Sequence, residues 1–349
     1  MKGITLVLGS FAGRDLAARI VDGTLEDVLV GAPDSAQPAP EAIFRAIVGR
    51  PVKGLGGVFV DLPGGQSGFL RQTRGLAPGA RVIVQVTGAP EGGKAVPVTT
   101  RLLIKGRTVI LTPEAPGLNI SRAIRDTQAR ARLQAIAEAG IAGADETLGV
   151  ILRSAAEEAA DGEIANELAD LRALTERLLA DTAGPAELLL DAPGPHDLAW
   201  RDWASPLPDA VEQGPDAVST HGVDAMLDAL LSTRVPLPGG GHMYVEPTRA
   251  LVAVDVNTGG DTTPAAALKA NLSAARALPR QLRLRGLGGQ VIIDFAPMPK
   301  RDRAVLEQCL KASFRKDTSE TTLAGWTLLG NYELQRKRDR SPLRTALGK

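Results

Sequence analysis

The spacing of apolar and polar positions changes period several times along the chain, and each change marks an element. Residues 5–8 and 17–21 read as strand pieces, and the Pro- and Ala-rich stretch 33–40 reads as a boundary. From 47 to 111, short β-rich runs recur between turn residues, at 57–61, 67–70, 81–86 and 96–100, which predicts a small barrel. The run 109–113 opens a further segment, in which 121–141 reads as a helix. A second helix is predicted over 155–181, where Ile164, Leu168, Leu171, Leu174 and Leu178 recur at three- and four-residue steps and acidic residues cover the other side. These positions are core rather than a cofactor site. A stretch rich in Pro, Asp and Ala, 184–222, surrounds one apolar run at 188–190 and precedes a helix at 223–232. From 243 the pattern sharpens into a hairpin of 243–246 and 250–257, a helix at 264–285, a strand at 290–295, a helix at 301–317 and a basic strand ending at 336–338. This succession predicts an α/β unit, and no internal repeat is found.

With 349 residues, 44% apolar and 23% charged, the chain has enough material for two or three small domains and for a buried core. No apolar run reaches the roughly 18 residues that cross a bilayer, and the N-terminal strand runs into Gly9-Ser10 without a cleavage site, so a soluble, cytoplasmic protein is expected. The single cysteine, Cys309, excludes an intramolecular disulfide and a multi-cysteine zinc site. His196, His221 and His242 are scattered and offer little to a Ser-His-Asp triad. Carboxylates are left as the catalytic candidates.

The zero net charge hides a split. Residues 120–230 hold 8 Lys/Arg against 21 Asp/Glu, a net of −13, and residues 269–349 hold 17 against 7, a net of +10. The basic end suits a polyanion; two solvated faces read equally well.

Within 251–257 the side chains alternate, so Val252, Val254 and Val256 share one face while Asp255 and Asn257 share the other. Asp294 ends a second apolar strand. If the two strands are neighbours, Asp255 and Asp294 converge, and a divalent cation with oxygen ligands, Mg²⁺, resolves their repulsion; otherwise each is a strand-end or turn cap. Lys269, Arg276, Arg280 and Arg283 recur at steps of seven, four and three along one helix, with Arg285 just beyond. That stripe suits a phosphodiester backbone or a solvated face. Pro279 inside this helix is expected to kink or divide it. The turn Gly286-Leu287-Gly288-Gly289 lacks the Lys-Ser/Thr of a P-loop. In the barrel, Phe59 and Phe69 lie on adjacent runs with Lys94 following, a set that can stack bases beside a cation or simply be core.

The run Val254-Asp255-Val256-Asn257, then Gly259-Gly260-Asp261, Asn271-Leu272, 280–289 and Ile293-Asp294-Phe295, resembles the catalytic core of the ribonuclease E/G family. The resemblance extends over nearly the whole chain and is weakest from 184 to 222. It implies an α/β multidomain protein: a ribonuclease-H-like domain in two parts, 1–36 and 185–232, an inserted OB-fold RNA-binding barrel at 37–101, a 5′-sensor-like domain at 102–184, and a deoxyribonuclease-I-like catalytic domain at 233–349. It implies an endoribonuclease that hydrolyses single-stranded RNA, from rRNA precursors or mRNA, to a 5′ phosphate and a 3′ hydroxyl. By the family's pattern Asp255 and Asp294 bind Mg²⁺, Asn257 orients the site, and Phe59, Phe69 and Lys94 contact RNA, with Arg280, Arg283 and Arg285 as further RNA-binding candidates. Gly106, Ile110, Arg153 and Ser154 fall where the family senses a 5′ monophosphate.

Four departures stand out. The paired cysteines of the family's zinc link are absent, so a homodimer requires other contacts. The loop between Asn257 and Gly259 is shortened, Ser154 stands where Thr is usual, and no long tail follows 349, so a scaffold for other degradation enzymes is not expected. Two other function classes stay open: an RNA-binding protein that keeps the fold without efficient cleavage, and a metal-dependent phosphoesterase of small substrates, which has no need of barrel aromatics.

Overall fold

The computed structural model describes residues 2–31, 37–51, 54, 56–71, 75–90, 93–261 and 263–349. The chain divides into two compact units, Met1–Pro33 with Glu212–Lys349, and Asp34–Val211.

In the first unit the N-terminal strands Ile4–Phe11, Arg14–Val21 and Thr24–Val30 form an antiparallel meander. Both of its turns are two residues long, Ala12-Gly13 and Asp22-Gly23, with every φ positive, the geometry that matches the twist of paired strands. Leu16, Ala18 and Ile20 pack with Val223, Leu227 and Leu230 of the helix Val223–Leu231 and with Leu343.

The remainder of this unit is a six-stranded mixed sheet in the order Arg234–Pro236, His242–Pro247, Val252–Asn257, Gly289–Asp294, Tyr332–Arg336 and Thr321–Trp326. Only Val252–Asn257 and Gly289–Asp294 run parallel, and the helix Pro264–Leu284 connects them. That helix and Arg303–Phe314 supply Ala274, Leu278, Leu282, Leu306 and Leu310 to the core under Val252, Val254, Val256, Val291 and Ile293. Alternation leaves the other strand face polar.

Pro279 does not divide its helix. Pro264–Leu284 is continuous and Pro279 is buried within it, so packing of the apolar stripe overrides the lost backbone donor.

In the second unit, Ile43–Pro51, Val58–Asp61, Ser67–Leu70, Val96–Thr99 and Arg81–Val86 close into a five-stranded barrel, the last strand pairing back onto the first, an arrangement consistent with an OB-fold. Its interior is Phe44, Val48, Val60, Leu70, Val84 and Val98. Beyond it, Ile104–Lys105, Val109–Thr112, Gly149–Leu152 and Gly117–Ile120 form a second sheet, whose core is shared with the helices Thr127–Ile141 and Asp161–Ala180. Both helices start later than the periodicity predicts. Asp126 caps the first by accepting from the amides of Gln128 and Ala129, and a 3₁₀ turn at Ser154–Ala156 precedes the second.

Among the described residues, no helix is long and apolar enough to cross a membrane.

Candidate active site

Asp255 and Asp294 are register partners on the two parallel strands, so their Cα atoms lie side by side across a gap of roughly 4.8 Å, the spacing of hydrogen-bonded strands. Both are exposed on the polar face, while the residues flanking them on each strand are buried. Among the described residues neither carboxylate has a Lys, Arg or His ion-pair partner. Asn257, two residues on and on the same face, donates its Nδ2 to Asp255 Oδ2 at 2.8 Å. Two adjacent uncompensated carboxylates with an amide beside them repel each other unless a cation joins them. An oxygen-only donor set of two carboxylates fits a hard cation that keeps several of its waters, as Mg²⁺ does.

Asp294 is held from behind. The side chain of Asn271, fully buried in the helix Pro264–Leu284, donates to Ala296 O at 2.9 Å and accepts from Ala296 N at 3.0 Å. The helix thereby clamps the backbone two residues beyond the carboxylate. On the other side of Asp255, the strand His242–Pro247 places Tyr244 opposite Asp255 and His242 opposite Asn257, with their rings edge-to-face at 5.3 Å. His242 and Tyr244 were not singled out for this site from the sequence. The signal is present in 242–247, where His, Tyr and Glu alternate with Met and Val, but it becomes a site only once the strand pairing is known.

The chain turns tightly here. A Cβ on Gly241 would come within 2.8 Å of Asn257 O, and one on Gly259, whose φ is +77°, within 2.6 Å of Gly240 O. Only glycine lets the loop that follows Asn257 pack against the one before His242.

The basic stripe does not form one free face. Arg283 is paired with Asp317, with Glu26 at 3.1 Å and with Asp27 at 3.5 Å. Arg285 is 7% exposed, bonded to Gln281 and, at 3.0 Å, to Ser232 O, and burial pulls its guanidinium down to about 10. The donors of both residues are bonded inside the protein. Arg280 is partly exposed and 3.8 Å from Glu26.

In the barrel, Phe59 and Phe69 are register partners with ring centroids 5.3 Å apart at 62°, and both are partly exposed. Lys94 is exposed just before Val96–Thr99, the strand whose Pro97 pairs with Phe69. Of the four residues expected to meet a 5′ monophosphate, Arg153 and Gly106 touch, Nη1 donating to Gly106 O at 2.7 Å. Ile110 pairs with Ile151, two residues before Arg153, and Ser154 is exposed at the start of its 3₁₀ turn. Nη2 of Arg153 donates to Asp202 Oδ1 at 2.7 Å. Burial opposes the charge on Asp202, but Arg201 and Arg153 outweigh it and hold its carboxyl below the ordinary value.

The chain spans about half the length of the ribonuclease E sequences it matches. It is 29% identical to "Ribonuclease E" of Synechocystis sp. over 89% of this chain and 52% of that protein. It is 30% identical to "Ribonuclease E" of Nostoc sp. over 75% of this chain and 44% of that one. With "Ribonuclease G" of Escherichia coli (strain K12) the identity is 27%, over 87% of this chain and 74% of the relative. The model of the Ribonuclease E/G family matches residues 103–213 and 206–339, which include Gly106, Ile110, Arg153 and Ser154, the clamp at Asn271 and both carboxylates. On this match the chain belongs to the ribonuclease E/G family.

Proposed function

We propose that this protein is a Mg²⁺-dependent endoribonuclease that hydrolyses single-stranded RNA to a 5′ phosphate and a 3′ hydroxyl. The observation that carries the reading is the register pairing of Asp255 with Asp294, with Asn257 bonded to the first. Asp255 and Asp294 would hold the ion, which when bound supplies a polarised water and charge neutralisation at the scissile phosphate. Asn257 fixes the Asp255 carboxylate through its amide. The clamp from Asn271 keeps Asp294 level with its partner, and the buried valines beneath make the platform rigid. In the barrel Phe59 and Phe69 would stack bases beside the Lys94 cation. Arg153, Ser154, Gly106 and Ile110 would meet a 5′ monophosphate, and Asp202 is the carboxylate such a phosphate must displace from Arg153. The finer domain plan belongs to the same proposal: a split ribonuclease-H-like domain around the barrel and sensor, then a deoxyribonuclease-I-like domain at 233–349. Any homodimer would form without a zinc link.

The test is cleavage of a short single-stranded, 5′-monophosphorylated RNA with Mg²⁺, comparing wild type with Asp255→Asn and Asp294→Asn. Cleavage by the wild type alone supports the reading. Binding without cleavage under any divalent ion would replace it with an RNA-binding role.

A further inference from the structure

A groove of about 800 Å³ lies beside the helix Pro264–Leu284, between Lys269, Arg276 and Arg280 on the helix and the segment 235–238. The steps of seven and four residues put the three cations on one side of the helix over about 16 Å, at 1.5 Å per residue. Lys269 and Arg276 are exposed, and among the described residues neither has a carboxylate partner. Arg280 shares the groove with Glu26, the one acidic residue in its lining. Their neighbour Arg283 is locked into Asp317, so the cations left facing the groove are a selected part of the stripe. Opposite them Pro236 and Pro238 are exposed and add no backbone donors, which makes a stiff apolar wall.

One end of this groove adjoins the site described above. A Cβ on Gly239 would meet Lys269 Nζ at 3.1 Å, and two residues later Gly241 packs against Asn257 O. The Lys269 end therefore reaches the loop that borders Asn257. A chain of phosphates with flat apolar bases matches a row of cations facing a proline wall, and it is the ligand that the neighbouring carboxylate pair would cut.

We propose that this groove is a lane for the phosphodiester backbone of single-stranded RNA entering or leaving the Asp255–Asp294 edge, with Lys269, Arg276 and Arg280 as its phosphate contacts. The inference rests on the ribonuclease reading and adds a path for the substrate outside the catalytic edge, the barrel and the sensor.

The experiment measures binding of a long oligouridylate by fluorescence anisotropy across a salt series. It compares wild type, Lys269→Gln/Arg276→Gln, and the charge-matched control Arg301→Gln/Lys311→Gln, whose residues are exposed elsewhere in the same unit. Melting curves verify that each variant is folded. Removing two phosphate contacts makes the slope of log K against log salt shallower by about 1.4, at about 0.7 per contact in a single strand. Affinity falls at least about tenfold for the groove variant, and Arg276→Gln alone gives about half the change in slope. The lane is overturned if wild type binds and cuts RNA while the groove variant keeps its slope and affinity, or if the control pair loses as much. It is also overturned, in favour of an acidic polypeptide, if polyglutamate binds the groove and oligouridylate does not compete. If wild type neither binds nor cuts any RNA, the ribonuclease reading fails along with it.

Discussion

Asn271 and Ala296 exchange two hydrogen bonds, at 2.9 and 3.0 Å, through a side chain with no exposure, and this ties the helix after the first carboxylate to the strand end that carries the second. Truncating Asn271 to Ala strands a buried N–H and a buried C=O, each costing about 1–3 kcal/mol. Urea unfolding of Asn271→Ala should show a loss in that range or somewhat above it, and cleavage per folded molecule should fall as Asp294 loses its support. Asn271→Asp keeps the acceptor for Ala296 N but sets a carboxylate oxygen against Ala296 O in a site with no exposure, and should lose at least as much stability as Asn271→Ala.

Asp255→Asn and Asp294→Asn each remove one charge from a like-charged pair, so neither should destabilise the metal-free protein. Wild type should melt at higher temperature as Mg²⁺ is added, by the linkage of binding to folding, and both variants should lose that response together with cleavage. A thermal shift on Mg²⁺ that survives in both variants would place the ion elsewhere.

The edge-to-face pair in the barrel separates an RNA enzyme from a phosphoesterase of small molecules. Base stacking on an aromatic ring is worth about 1–3 kcal/mol, so Phe59→Ala or Phe69→Ala should weaken single-stranded RNA binding by roughly 5- to 150-fold in an anisotropy titration. Hydrolysis of a small phosphodiester should be unaffected. Unchanged RNA affinity would remove the barrel from the RNA path.

Arg283 offers a check on which cations of the basic stripe meet RNA. Its partner Asp317 has a fully buried side chain, and removing one member of a buried pair costs about 3–5 kcal/mol. Arg283→Ala should fall near the low end, because Arg336 still holds Asp317. RNA affinity per folded molecule should hardly move, whereas a direct phosphate contact would show as a shallower salt dependence.

Asp202 and Glu41 sit in one ion cluster with Arg201, Arg153 and Lys105, and both carboxyls are held below their ordinary values, 3.8 and 4.5. A carboxyl whose value is depressed by folding contributes stability above its unfolded value, and that contribution is lost as pH falls through the folded one. Acid unfolding below about pH 4 should therefore be less steep in Asp202→Asn than in wild type. The same variant leaves Arg153 Nη2 with at most a neutral amide acceptor, easier for a phosphate to displace, and should increase the preference for 5′-monophosphate over 5′-hydroxyl RNA.

The features legible in the chain alone are those set by neighbours in sequence. Alternation in 252–257 assigns the valines to one face and Asp255 with Asn257 to the other before any partner strand is known, because a strand reverses its side chains at every residue. The Phe59 and Phe69 runs and four of the five barrel strands are legible for the same reason, whereas Ile43–Pro51, which closes the barrel by pairing with Arg81–Val86, is not; the family's motif carries the rest of that outline. What the sequence could not settle depends on residues far apart in the chain. The exchange of bonds between Asn271 and Ala296, the place of Tyr244 opposite Asp255, and the choice of Arg283 to bond Asp317 and Glu26 each join separate segments. Helical spacing put Arg276, Arg280 and Arg283 in one stripe. It was the packing of the N-terminal meander and the 317 loop that turned Arg283 inward and left Lys269 and Arg276 facing a groove, since a cation finds its partner by position in space.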